Sequence, residues 1–207
     1  ICAGLFILPY FLFSATAGQI AEKYEKSRLM RIIRLCEIAV MGLGALAFIY
    51  GNLTALMAVL FPMGAQSTFF GPVKYAILPQ HLKTDELIGG NGLVEMGTFL
   101  AILLGTIVGG LLIAVEGAGA ILTAATVVLC AVLGWLASRH IPDAPANDPD
   151  LKINWNLFSE TWKIIGIARE KRAVFQSVLG ISWFWMLGAV YLTQFPNYAM
   201  ETLGGNQ

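Results

Sequence analysis

Residues 38–73 run for 36 positions without a charged side chain. At 1.5 Å of rise per residue, a single helix of that length would measure about 54 Å. The hydrocarbon core of a bilayer is only roughly 30 Å thick. The stretch must therefore double back, and Tyr50-Gly51-Asn52 supplies turn chemistry near its first third. This predicts two spans, over about 31–50 and 53–73. The same reading predicts a charge-free first span over 1–20 and further spans over about 88–115, 118–138 and 173–200. In lipid only helices and closed barrels satisfy their own backbone, and these runs show no period-two alternation. The expected fold is all-α and membrane-integral, with six transmembrane helices.

Composition supports this. Hydrophobic residues make up 57% of the 207-residue chain and charged residues 13%, about half the charged share of typical soluble domains. The net charge is zero, so no global case exists for nucleic-acid binding. All thirteen basic residues fall in alternate connections or at the helix ends beside them: Lys23 to Arg34, then Lys74 and Lys83, then Arg139 to Arg172. The connections near Gly51 and Glu116 hold none. The positive-inside rule places the basic loops in the cytoplasm. Cys2, Cys36 and Cys130 stand in apolar runs without CxxC spacing and read as packing residues. Because the chain opens inside an apolar run and closes on Leu203-Gly204-Gly205-Asn206-Gln207, it is expected to be a fragment flanked on both sides.

One long polar connection, 140–172, interrupts the pattern. Pro142, Pro145 and Pro149, interspersed with Asp143, Asn147, Asp148 and Asp150, predict a linker. Ile153 to Phe158 and Trp162 to Ile165 then form an amphipathic stretch with two tryptophans. It suits either the membrane interface or the cytoplasmic face of the protein. The predicted organisation is a five-span bundle over 1–139, a linker over 140–172, and a further span with the start of an outer loop over 173–207.

The first connection reads Gly18-Gln19-Ile20-Ala21-Glu22-Lys23-Tyr24-Glu25-Lys26-Ser27-Arg28. It is a tight basic turn with an acid at the end of the first span. The string resembles the signature loop between helices two and three of the major facilitator superfamily, Gly-x-x-x-Asp-x-x-Gly-Arg-x-Arg/Lys. Gly18, Lys26 and Arg28 match, Glu22 stands for the Asp, and Glu25 replaces the second Gly. The resemblance implies a twelve-helix fold of which these six spans are about helices two to seven, the linker being the central loop.

Further along, Phe69-Phe70-Gly71-Pro72-Val73-Lys74-Tyr75-Ala76-Ile77-Leu78-Pro79 pairs a helix-weakening Gly71-Pro72 step with Lys74, which lies within a turn of it. The run is similar to bacterial lysophospholipid transporters, including those fused to acyltransferase and acyl-carrier-protein ligase domains. That implies a bacterial inner-membrane carrier of lysophospholipid for re-acylation. Lys74 is expected to pair with Glu22 as a gate, or to meet a lipid phosphate. Its bland alternative is a snorkelling lysine.

Glu95 lies about two turns into the fourth span, where a carboxylate costs about 2.5–3.5 kcal/mol and needs a cavity or partner. With Asn91 one turn earlier, it is a candidate for the substrate pathway, and Gln66 is another possible lining residue. Arg34 and Glu37 are expected to form an i,i+3 pair. Gly105-Thr106-Ile107-Val108-Gly109 has the small-xxx-small spacing of a helix contact.

His81 and His140 are isolated, and the chain carries no HExxH motif, Walker loop, dinucleotide fingerprint or nucleophile elbow. No cofactor or metal is expected, and any fused enzyme would lie outside this chain. The residues leave three readings open: a lysophospholipid carrier, a drug or metabolite carrier of the same fold, and the membrane part of a multifunctional acyltransferase or ligase.

Overall fold

The computed structural model describes residues 2–202; Ile1 and the expected outer loop over 203–207 lie outside the described residues. Among the described residues seven helices follow one another: α1 (Cys2–Lys23), α2 (Lys26–Ile49), α3 (Leu53–His81), α4 (Leu87–Ile113), α5 (Gly119–Ser138), α6 (Leu157–Glu170) and α7 (Arg172–Glu201). Six of them, all but α6, are long and apolar enough to cross a membrane. The chain forms two compact units, Ile1–Leu157 and Phe158–Gln207.

Turn chemistry sets the boundaries. Gly51 adopts φ +63° between α2 and α3, and Gly117 adopts φ +73° between α4 and α5. Both lie in the left-handed region that only glycine enters freely. Asn52 caps α3 by accepting from the Ala55 backbone N–H at 3.0 Å.

Two boundaries differ from the sequence expectation. α2 begins at Lys26 rather than near 31, because Glu25 caps it and draws the basic residues into its first turns. α3 does not end near 73 but continues to His81, with Pro62, Pro72 and Pro79 inside it. The Gly71-Pro72 step is thus not an interruption. Pro72 forfeits one intrahelical donor, yet leaving the helix would expose several backbone groups to a medium with no water to receive them.

In the first unit α1 associates most closely with α3, and α2 lies against both α3 and α5. The tightest crossing is at Gly64, where an added Cβ would stand 2.1 Å from the Phe6 carbonyl oxygen. Phe13 of α1 stacks on Phe69 and meets Phe61 edge-on across the same interface. Nearer the basic end, Ala21, Met30 and Val73 form a buried cluster roofed by Ile141 of the linker.

α4 touches α3 and α5 more lightly and has no buried residue. Among the described residues nothing makes the anticipated close contact at Gly105 and Gly109. A Cβ at either would meet nothing within 4 Å, and both line a groove of about 510 Å³ between α2, α4 and α5.

Candidate functional site: a clasped basic end and a charged cluster between α3 and α4

The Gly18–Arg28 connection is fastened to the linker by a dense set of hydrogen bonds. Lys26 is 0% exposed. Its Nζ donates to the Pro145 carbonyl at 3.0 Å and to Asn147 Oδ1 at 3.1 Å. Its backbone N–H donates to the Ala144 carbonyl at 2.8 Å. A buried ammonium is costly unless its donors find acceptors, and here the linker supplies them.

Glu22 accepts from Asn147 Nδ2 at 2.6 Å, while its carbonyl oxygen accepts from the Asn147 and Asp148 backbone amides. Gln80 of α3 completes the node by donating to Asn147 Oδ1 at 2.8 Å and to the Pro145 carbonyl at 3.1 Å. Asn147 thereby ties α1, α2 and α3 together through one side chain. Further along, Gln19 and the backbone of Asn154 exchange two bonds, of 2.7 and 3.2 Å.

Glu25, which replaces the expected glycine, is a structural centre of this clasp. Its carboxylate accepts from the Ser27 and Arg28 backbone amides at 3.0 and 2.7 Å, from the Ser27 hydroxyl, and from the Ala144 N–H at 3.1 Å. Burial pushes its pKa upward, but the bonds from Ser27, Ala144 and Arg28 outweigh that. The carboxyl therefore titrates below its ordinary value of 4.5.

Of the matched motif positions, Arg28 is exposed and lends only its amide to the cap. Gly18 brings no helix close, since a Cβ there would meet nothing within 4 Å. The small residues that are buried at this end of α1 are Ala15, Ala17 and Ala21.

The expected Glu22–Lys74 pair is not formed; each side chain has another partner. Lys74 Nζ lies 3.4 Å from Thr98 Oγ1 of α4 and 4.6 Å from the centroid of the Tyr75 ring. The Tyr75 hydroxyl in turn donates to the Glu95 carboxylate. Lys74, Tyr75, Glu95 and Thr98 thus form one cluster joining α3 to α4. Lys74 stands seven residues before the end of α3 and Glu95 eight after the start of α4. Both are consequently about 10–12 Å from the basic ends of their helices.

Two further candidates turn inward to their own chain. Asn91 is exposed and its Nδ2 donates to the Leu87 carbonyl at 2.9 Å, while Gln66 accepts from the neighbouring Ser67 hydroxyl at 3.4 Å. The structure does not bring either to Glu95 by a hydrogen bond.

Arg34 and Glu37 pair as expected, at 2.5 Å. The Arg34 guanidinium also lies 4.1 Å from the centroid of the Phe70 ring, and both charged residues border the groove beside α4.

Sequence reasoning missed Glu25, Gln80, Asn147, Gln19, Tyr75 and Thr98. An amide inside an otherwise apolar span was the available signal for Gln19. Asn147 stood among several polar linker residues and carried no distinguishing mark.

Six membrane-length helices, with a cation and a carboxylate bonded between α3 and α4, mark a polytopic membrane protein. The chain belongs to the Major Facilitator Superfamily, whose profile its residues 1–206 match. This is a family of transporters rather than enzymes. Among curated proteins, the chain is 30% identical over 187 residues to the lysophospholipid transporter LplT of Serratia proteamaculans, covering 88% of this chain and 44% of that protein. It is 33% identical to that of Photorhabdus laumondii over 187 residues, covering 89% and 44%. It is 32% identical to that of Klebsiella pneumoniae over 190 residues, again covering 89% and 44%. The chain therefore spans less than half the length of these relatives. No solved structure matches it significantly.

Proposed function

We propose that the protein containing this chain carries lysophospholipid across the bacterial inner membrane, delivering it for re-acylation. One observation carries this reading: Lys74, Tyr75, Glu95 and Thr98 form a charged cluster between the two membrane-length helices α3 and α4. A lysophospholipid headgroup bears a phosphate, and some also bear an amine. Lys74 suits the first and Glu95 the second. Sites of this kind are costly to keep in lipid and typically face a substrate path. The names of the relatives point to the same substrate. A fused or associated acyltransferase or ligase would then supply the re-acylation chemistry.

In this reading the basic loops are cytoplasmic, 1–139 belongs to the N-terminal bundle, 140–172 is the central linker, and α7 opens the C-terminal bundle. The conformational switch is the clasp rather than a Glu22–Lys74 pair. Glu22 and Lys26 on the Gly18 loop, held by Asn147, latch the cytoplasmic end, and Arg28 lends its amide to the Glu25 cap beside them. Gly71 and Pro72, one donor short, give α3 compliance beside Lys74. Asn91 and Gln66 flank the path.

The test is uptake of labelled lysophosphatidylethanolamine by spheroplasts expressing the full-length protein and a Lys74→Ala, Glu95→Gln variant. Uptake by the parent that falls at least tenfold in the variant, at equal expression, is the expected outcome. Undiminished uptake in the variant sinks the site. No uptake by a well-expressed parent sinks the substrate and favours the drug or metabolite reading.

A further inference from the structure

α6, 14 residues long, is not among the helices long and apolar enough to cross a membrane, and it exposes two aromatic side chains. At 100° per residue, Leu157, Phe158, Trp162, Ile164, Ile165 and Ala168 fall within an arc of about 160°, which also carries Thr161 and, at the end of the helix, Arg169. Ser159, Glu160, Lys163 and Glu170 occupy the opposite arc, with Ile167 the one bulky apolar residue among them. Phe158 and Trp162 are each 67% exposed.

Covalent attachment says what medium meets this face. α6 ends at Glu170 and the membrane-length helix α7 begins at Arg172, leaving a single residue between them. One end of α6 is therefore held at the level where α7 enters the bilayer. Three of the four residues at that junction are cations: Arg169, Lys171 and Arg172, with Glu170 among them. The Arg169 guanidinium also lies 5.5 Å from the centroid of the Phe175 ring, tying α6 to the first turn of α7. A short helix with an aromatic-aliphatic face, a polar face and flanking cations is the composition of a segment that lies in the bilayer plane. Basic residues beside a membrane span add attraction to acidic headgroups.

We propose that α6 is a membrane-surface anchor. It seats its Phe158, Trp162 and Ile165 face at the headgroup–acyl boundary of the leaflet where α7 begins, with Arg169 and Lys171 on acidic lipid headgroups. This surface is independent of the substrate cluster and stands or falls separately from the transport reading.

The experiment places nitroxide labels at Phe158, Ser159, Lys163 and Ile165, one at a time. The host is the full-length protein with its other cysteines replaced, reconstituted in phosphatidylethanolamine–phosphatidylglycerol vesicles. A label at Val178 in α7 calibrates the bilayer interior. Preferential collision with oxygen at 158 and 165, and with a water-soluble nickel chelate at 159 and 163, is expected. Water-like behaviour at all four sites, or shielding of all four from both reagents, overturns the proposal in favour of a free or protein-packed helix. For the headgroup, a fluorophore at Phe158 should be quenched more by brominated phosphatidylglycerol than by brominated phosphatidylcholine. That preference should fall roughly fivefold for each of Arg169→Gln and Lys171→Gln, the factor matching about 1 kcal/mol per basic residue. Equal quenching by the two lipids overturns the acidic-headgroup part.

Discussion

The α1–α3 interface and the surface of α4 are both made of apolar and small residues, yet they behave differently. At Gly64 the absent side chain is a necessity, because the Phe6 carbonyl occupies the space a Cβ would need. At Gly105 and Gly109 the absent side chains leave an open groove of about 510 Å³. A glycine in a membrane helix thus marks a close crossing only where a neighbour has moved into the gap. The spacing of the glycines alone does not say which. The same contrast separates two sets of charges: those at the basic end are locked into the linker by many bonds, whereas Lys74 and Glu95 are held by few.

The largest effect should come from Gly64→Leu. Forcing α1 away from α3 costs about 3 kcal/mol or more, and most of the protein should fail to reach the membrane in folded form. Chemical denaturation in detergent, or the yield of monodisperse protein, measures it; near-normal stability contradicts the crossing described above.

Next in size is Lys26→Met, which removes the ammonium that donates to the Pro145 carbonyl and Asn147 Oδ1 and leaves Gln80 as their remaining donor. Losing hydrogen bonds from a charged donor costs about 1.5–3 kcal/mol. Residues 142–156 should become protease-sensitive while the spans remain protected. A linker as resistant as in the parent would mean that Asn147 and Gln80 hold it alone.

A smaller, pH-dependent effect is expected at Glu25. Its carboxyl titrates below 4.5 when the clasp is closed. The clasp stability it contributes is therefore complete above that ordinary value and is lost as pH falls through the lower folded value. Linker proteolysis should rise at acid pH in the parent, and Glu25→Gln should show elevated, less pH-dependent cleavage. An unchanged acid response in the variant would assign the effect to another group.

Smallest of all should be Gly105→Leu, within about 0.5 kcal/mol, since the added side chain enters open space. If this change destabilises the full-length protein as much as Gly64→Leu does, another segment fills the groove, and the contrast between the two interfaces disappears.

Much of the fold was legible in the sequence. Charge-free length fixes the number of membrane crossings, Gly51 marks one reversal, and clustered cations mark one end. Those inferences work because lipid tolerates neither unpaired backbone nor unpaired charge, so composition along the chain maps directly onto depth. The Arg34–Glu37 pair was legible for a similar reason, since partners three residues apart on one helix need no tertiary information.

Partners distant in sequence were a different matter. Glu25 looked like a departure from a glycine pattern, and only the folded linker reveals it as a cap that also grips Ala144, 119 residues away. Lys74 and Glu22 looked like natural partners by charge, but α4 lies close enough to give Lys74 Thr98, and Asn147 reaches Glu22 first. The sequence by itself determined how many helices are long and apolar enough to cross, the reversal at Gly51 and which connections are basic. The tertiary structure alone decided which glycine is a contact, where α3 ends and who holds each charge. Hydrophobic length is a local property of the chain, whereas close packing and hydrogen bonding depend on what lies across the gap.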